Sequence, residues 1–124
     1  MYVAGAEHPQ REPARRFLMR VQAGKVEGCT STEVLREILC RYAALRRLDL
    51  ARQVYELFVQ VCPVIFSVTL ADTDGARDLL QTVPGISARD ALHAAVMLNH
   101  QVEWMASFDR GFDAVPGIRR LDLT

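Results

Sequence analysis

The chain has 124 residues, 50 % of them apolar and 24 % charged, which suits one compact soluble domain, 1–124, with a sizeable core. Its 15 basic and 15 acidic side chains cancel, which excludes nucleic-acid binding driven by a strongly basic surface and leaves local patches or metal ions for any such contact. No apolar run approaches the roughly 20 residues of a membrane span, and Met1 to Gln10 lack the basic and apolar segments of a secretory signal.

In chain order, Arg11 to Ala23 reads as a helix. Pro13 suits its first turn, Phe17, Leu18 and Val21 give it an apolar side, and Gly24 closes it. A short strand is expected at Val26 to Cys29. Ser31 to about Arg47 predicts a long helix, with Thr30 and Glu33 at the spacing of a capping box. Val34, Leu35, Ile38, Leu39, Tyr42 and Leu45 form its apolar stripe. Asp49 is placed to cap the next helix, which runs to about Val61 and is stopped by Pro63. Val64 to Val68 alternates and branches like a buried strand. Thr69 or Asp72 opens a helix ending near Thr82, Pro84 and Gly85 make a turn, and Ser87 caps a helix from Ala88 to His100. That helix is apolar nearly all round, which predicts burial. Val102 to Ser107 reads as a strand, Asp109 to Asp113 as a loop or short turn, and Arg119 to Leu123 as an edge strand. Strands separated by helices imply an α/β fold, a parallel sheet flanked by helices. The three cysteines, Cys29, Cys40 and Cys62, form no CxxC pair and are expected to be buried, reduced thiols of a cytoplasmic protein.

Ligands of parallel α/β sheets sit beyond the carboxyl ends of the strands. Asp109 falls just past the strand ending at Ser107, Asp90 lies in the first turn of the buried helix, and Glu37 lies one turn into the long helix, beside its apolar stripe. Glu33 points nearly opposite that stripe. The carboxylates of Glu37, Asp90 and Asp109 are therefore expected to converge on one end of the sheet. Such a cluster is costly unless cations share it, and Mg²⁺ or Mn²⁺ favours carboxylate oxygens. Ions of this kind activate water and stabilise the charge that builds on a phosphate, the chemistry of phosphodiester hydrolysis.

Each of these residues also has a plainer role. Asp90 stands at the third helical position of a helix-start sequence, and Glu33 reads as a capping residue by the same logic. Glu37 suits a solvated ion pair with Arg36 or Arg41, and Asp109 a turn before Gly111. His93, one turn after Asp90, suits a packed or hydrogen-bonded histidine.

Taken together, the run Thr30-Ser31-Thr32-Glu33-Val34-Leu35-Arg36-Glu37-Ile38-Leu39 resembles the second acidic motif of PIN domains. Ile86-Ser87-Ala88-Arg89-Asp90-Ala91-Leu92-His93-Ala94-Ala95 looks like the third, and Met105-Ala106-Ser107-Phe108-Asp109-Arg110-Gly111-Phe112 like the fourth. Size and motif style are similar to VapC toxins of toxin–antitoxin pairs. The resemblance implies a three-layer PIN-like fold and a metal-dependent endoribonuclease held inactive by a VapB-type antitoxin. It assigns Glu37, Asp90 and Asp109 to a Mg²⁺ or Mn²⁺ site, Ser107 to the orientation of Asp109, and Asp113 to an additional acidic position. In the family the first strand carries an Asp shortly before an aromatic residue, and Tyr2 looks like that aromatic. The strand and its Asp are thus expected to precede Met1, so that the first strand is missing and RNA cleavage by this chain is weak or lost. Apolar residues such as Tyr2 and Val3 then lack partners in a shortened sheet, which implies a homodimer. The alternative is a catalytically inactive PIN-like module that binds a partner such as the antitoxin.

Overall fold

The computed structural model describes residues 28–106 and 110–121, with residues 106, 110, 111 and 121 described by their backbone. The expected helix at Arg11 to Ala23, the start of the first strand, Ser107 and Asp109 lie outside the described residues. The elements run β1 (Cys29–Ser31), α1 (Thr32–Ala44), α2 (Leu48–Val61), β2 (Val64–Phe66), α3 (Leu70–Thr82), α4 (Ala88–Asn99), β3 (Trp104–Ala106), a 3₁₀ helix (Arg110–Ala114) and β4 (Arg119–Leu121). The chain divides into two compact units, Met1–Ser67 and Val68–Thr124. Each holds one pair of parallel strands, β1 with β2 and β3 with β4, so the class is the expected α/β.

In the first unit, the stripe Leu35, Ile38 and Tyr42 of α1 meets Ala51, Val54, Phe58 and Val61 of α2. Ser31 rather than Thr30 caps α1, its hydroxyl accepting from the Val34 amide at 3.4 Å. This puts Glu33 one place too early for a capping box, and it grips Arg36 instead, with the Arg36 Nε 3.0 Å away. The helix ends at Ala44, three residues short of the expected end, because Arg46 takes a left-handed conformation (φ 56°). The amides of Arg46 and Arg47 then donate back to the carbonyls of Ala43 and Tyr42, a Schellman closure without glycine. Asp49 does not cap α2. Arg47 holds the cap position and pairs with Asp49 at 3.1 Å in the first turn.

Two burial expectations fail here. β2 spans three residues, Val64 is 41 % exposed, and Ile65 and Phe66 are only half-buried. Among the described residues β2 pairs with β1 alone. Of the cysteines only Cys62 is buried; Cys29 opens β1 and Cys40 lies on the outer side of α1 against Arg36. Burial, aided by the neighbouring Cys29 thiol, pushes Cys62 up to about 11, so it stays a protonated core residue.

The second unit is built on α3 against α4. The contact is close enough that a Cβ on Gly75 would stand 3.2 Å from the Cβ of Ala95, and Ala76, Ala91 and Ala95 fill the crossing. On another side of α4, Ala94 and Met97 pack with Val83, Phe112, Val115 and Ile118. The helix is not apolar-covered all round: Leu98 is 38 % exposed and Leu92 half-buried. Gln101 (φ 59°) closes α4 as Arg46 closes α1, and the Val102 amide donates to the Met97 carbonyl at 2.9 Å. The segment expected as a loop or short turn at Asp109 to Asp113 is, from Arg110 onward, a 3₁₀ turn. No helix among the described residues is long and apolar enough to cross a membrane.

Thr69 caps α3, and Asp72 is the acidic residue of the cap: its Oδ2 accepts from the Thr69 amide at 2.8 Å and the Thr69 hydroxyl at 3.2 Å. Its Oδ1 accepts from the Asn99 side-chain amide at 2.8 Å, tying the start of α3 to the end of α4. Asp72 is only 1 % exposed. Burial alone would raise its pKa, but the bonds from Asn99 and Thr69, and the nearby His100, hold the carboxyl below the usual range.

A depressed folded-state pKa gives stability that is present above the unfolded value and lost as pH falls through the folded one. The second unit should therefore lose stability as pH drops below about 3.9, the unfolded aspartate value. Asp72→Ala should cost about 1–3 kcal/mol at neutral pH and remove this part of the acid dependence. Denaturant unfolding at several pH values measures both; equal acid dependence in the two proteins would rule the linkage out.

Candidate active site

Helix α4 positions Asp90. The turn before it uses Gly85 at φ 77°, which lets Ser87 enter the cap position in extended conformation (φ −77°, ψ 158°). The Ser87 hydroxyl accepts from the Asp90 amide at 3.1 Å. Asp90 is 9 % exposed, and its neighbours Ala91 and Ala94 are fully buried, so the carboxylate sits at the start of a buried helix. The helix N-terminus carries partial positive charge, which favours the ionised carboxylate. His93, one turn on, is 8 % exposed and belongs to the same buried side.

Glu37 lies half-buried on α1 in the first unit, while Asp90 belongs to the second. Arg36 engages Glu33, whose side chain is only 12 % exposed. Glu33 thus has a local structural role through its side chain rather than the capping role expected of it. Asp113, on the 3₁₀ helix, accepts from the Arg120 Nε at 3.1 Å, which fastens that turn to β4. Phe112, the aromatic of the last acidic run, is 3 % exposed in the core of the second unit and anchors the chain just after Asp109. Asp109 and Ser107 themselves lie outside the described residues.

Carboxylates offer oxygen donors, which hard divalent cations favour. Among the described residues no group of three or more His, Cys, Asp and Glu side chains comes together as a metal site. The described residues thus supply a buried carboxylate at a helix start without a completed set of ligands.

A model of the PIN domain matches residues 1–118. The chain is 40 % identical over 121 residues to a VapC ribonuclease of Mycobacterium bovis, covering 98 % of this chain and 92 % of that protein. Ribonuclease VapC13 of Mycobacterium tuberculosis is similar at the same identity and coverage. Ribonuclease VapC23 of Mycobacterium tuberculosis is 35 % identical over 88 % of this chain and 86 % of its own length. No solved structure matches.

Because the cap of α4 is a single side-chain hydroxyl, Ser87→Ala should destabilise the second unit by about 1 kcal/mol, within a range of roughly 0.5–2. Ser87→Asp, an equally good cap, should restore most of that loss. Thermal unfolding of the three proteins decides; an unchanged midpoint for Ser87→Ala would show that the cap contributes nothing.

Proposed function

Because the chain belongs to the PIN-domain family and to its VapC ribonucleases, we propose that it is a VapC-like endoribonuclease, the toxin of a toxin–antitoxin pair, that hydrolyses RNA with Mg²⁺ or Mn²⁺. The observation that carries this reading is the likeness to named VapC ribonucleases over 98 % of the chain. The family match runs through both compact units, which supports reading the chain as one domain.

Glu37, Asp90 and Asp109 are the proposed metal-holding carboxylates, and Ser107 the hydroxyl that orients Asp109. A divalent cation in such a set supplies an activated water and neutralises charge on the phosphate. Asp90 is suited to this work because its helix start favours the charged carboxylate and its burial limits competing solvent. Asp113 is an acidic neighbour whose carboxylate already serves the fold through Arg120. The proposed partners are RNA as substrate, a VapB-type antitoxin and a second copy of the chain, in the cytoplasm.

Digestion of labelled RNA tests the activity. Cleavage should require Mg²⁺ or Mn²⁺ and stop with a chelator. Asp90→Asn, Asp109→Asn and Glu37→Gln should each lower the rate on the order of a hundredfold or more, since small losses of placement at reacting groups already cost that much. Their unfolding midpoints should stay close to the parent's. A folded chain that is inactive with every divalent metal yet binds an antitoxin would instead be a binding module.

The homodimer has its own check. Light scattering over a dilution series should give about twice the chain mass of 13.9 kDa at the higher concentrations. A single-chain mass throughout would exclude it.

A further inference from the structure

The parallel register of β3 and β4 sets Trp104 beside Arg119 and Met105 beside Arg120. Successive side chains of a strand point to opposite faces, so these two pairs lie on opposite faces of the sheet. One face is closed. Met105 packs on the core around Phe112 and Val115, and Arg120, 12 % exposed, bonds Asp113 of the 3₁₀ helix.

The other face carries Trp104, 55 % exposed, with the Arg119 guanidinium 5.8 Å from its ring centre. Arg119 is 67 % exposed and also reaches Glu103 at 2.8 Å. The chain has one tryptophan, and it is not spent on the core. A flat indole beside a guanidinium offers what a nucleobase and its phosphate need: a π-face to stack on and a planar donor for oxygen. The exposed Arg119–Glu103 pair is a weak tie that a phosphate can replace.

We propose that Trp104 and Arg119 form a stacking platform for a base of single-stranded RNA. The inference rests on the ribonuclease reading and deepens it. Trp104 lies five residues ahead of Asp109, and five residues of chain span at most about 18 Å, a reach that a few nucleotides of extended strand cover. The strand must be single, because only an unstacked base can lie on an aromatic ring. With a net charge of zero, the chain gains from a local contact of this kind, since general attraction to the backbone is small. A second copy of the chain is the poorer occupant. A stable dimer needs about 800 Å² per partner with an apolar centre, and Trp104 stands beside an exposed arginine that itself reaches an exposed glutamate.

Since Trp104 is the sole tryptophan, its fluorescence reports the platform directly. The Asp90→Asn chain is titrated with a short single-stranded oligoribonucleotide, and binding is read in parallel from the anisotropy of a dye on the RNA. Trp104 emission should change with the same midpoint as the anisotropy. Trp104→Ala should weaken binding roughly 5- to 150-fold, the equivalent of about 1–3 kcal/mol for one stacked base. Trp104→Phe should keep most of the affinity, while Trp104→Leu, apolar but not flat, should not. Arg119→Gln should weaken binding and lower its salt dependence by about one phosphate contact. RNA binding seen by anisotropy with unchanged Trp104 emission and a neutral Trp104→Ala would overturn the platform and leave the ribonuclease reading standing. No RNA binding by either measure, in a folded chain, would overturn both. Emission that follows protein concentration without RNA, with a dimer mass lost in Trp104→Ala, would overturn the platform in favour of self-association.

Discussion

The second unit depends on the burial of α4. A helix covered on most of its sides must let its neighbours come close, and close approach demands small residues. That is why Gly75 of α3 faces Ala95 and why Ala91, Ala94 and Ala95 are nearly inaccessible. Alanines give little apolar area each, so position is set by polar bonds at the two ends of the helix. Asp72 takes hold of Asn99 at one end, and Ser87 takes the Asp90 amide at the other. The same device that fixes the helix therefore fixes Asp90.

In its sequence context Asp90 reads either as part of a helix start or as a metal ligand. The bond that closes the cap uses the backbone amide of Asp90, with the serine oxygen as acceptor. That bond draws on the backbone of Asp90, and a metal-holding role for its carboxylate belongs to the proposal. The first unit shows a comparable separation of roles. Glu33 stabilises its own turn through Arg36, and Glu37, one turn on, is the carboxylate proposed for the metal site.

Helix starts were legible where a single hydroxyl preceded an acidic residue at the right spacing, as in Thr69 with Asp72 and Ser87 with Asp90. The start of α1 was not, because Thr30, Ser31 and Thr32 offer three successive hydroxyls and only pairing with β2 through Ser31 selects among them. The end of α1 was obscured for another reason. It closes through a left-handed residue, Arg46, that carries no glycine signal. The Asp72–Asn99 bond joins residues 27 apart and follows from packing, which no local pattern encodes. Strand lengths and cysteine exposure likewise depend on which neighbours cover an edge. Of the candidate site, the placement of Asp90 was legible because the cap that holds it is local. The mutual placement of Glu37, Asp90 and Asp109 is a long-range matter, and it remains part of the proposal.

Zero net charge bears on how such a protein recognises its substrate. Proteins that hold nucleic acid through many basic contacts bind any sequence and shape, since phosphates are everywhere alike. A chain whose basic and acidic side chains cancel has little of that general attraction to spend. In this reading its hold on RNA comes from carboxylate-held cations at the bond to be cut and from one aromatic contact away from it. Stacking on Trp104 requires a base already out of a helix, and the cut requires a phosphate at the carboxylates a few nucleotides along. Two weak contacts apart from each other favour flexible, unpaired RNA over duplex, because the flexible strand can satisfy both at once. The exposed tryptophan, costly to leave in water, and the balanced charge, unhelpful for binding, then belong to one strategy: selectivity for single strands in place of general affinity.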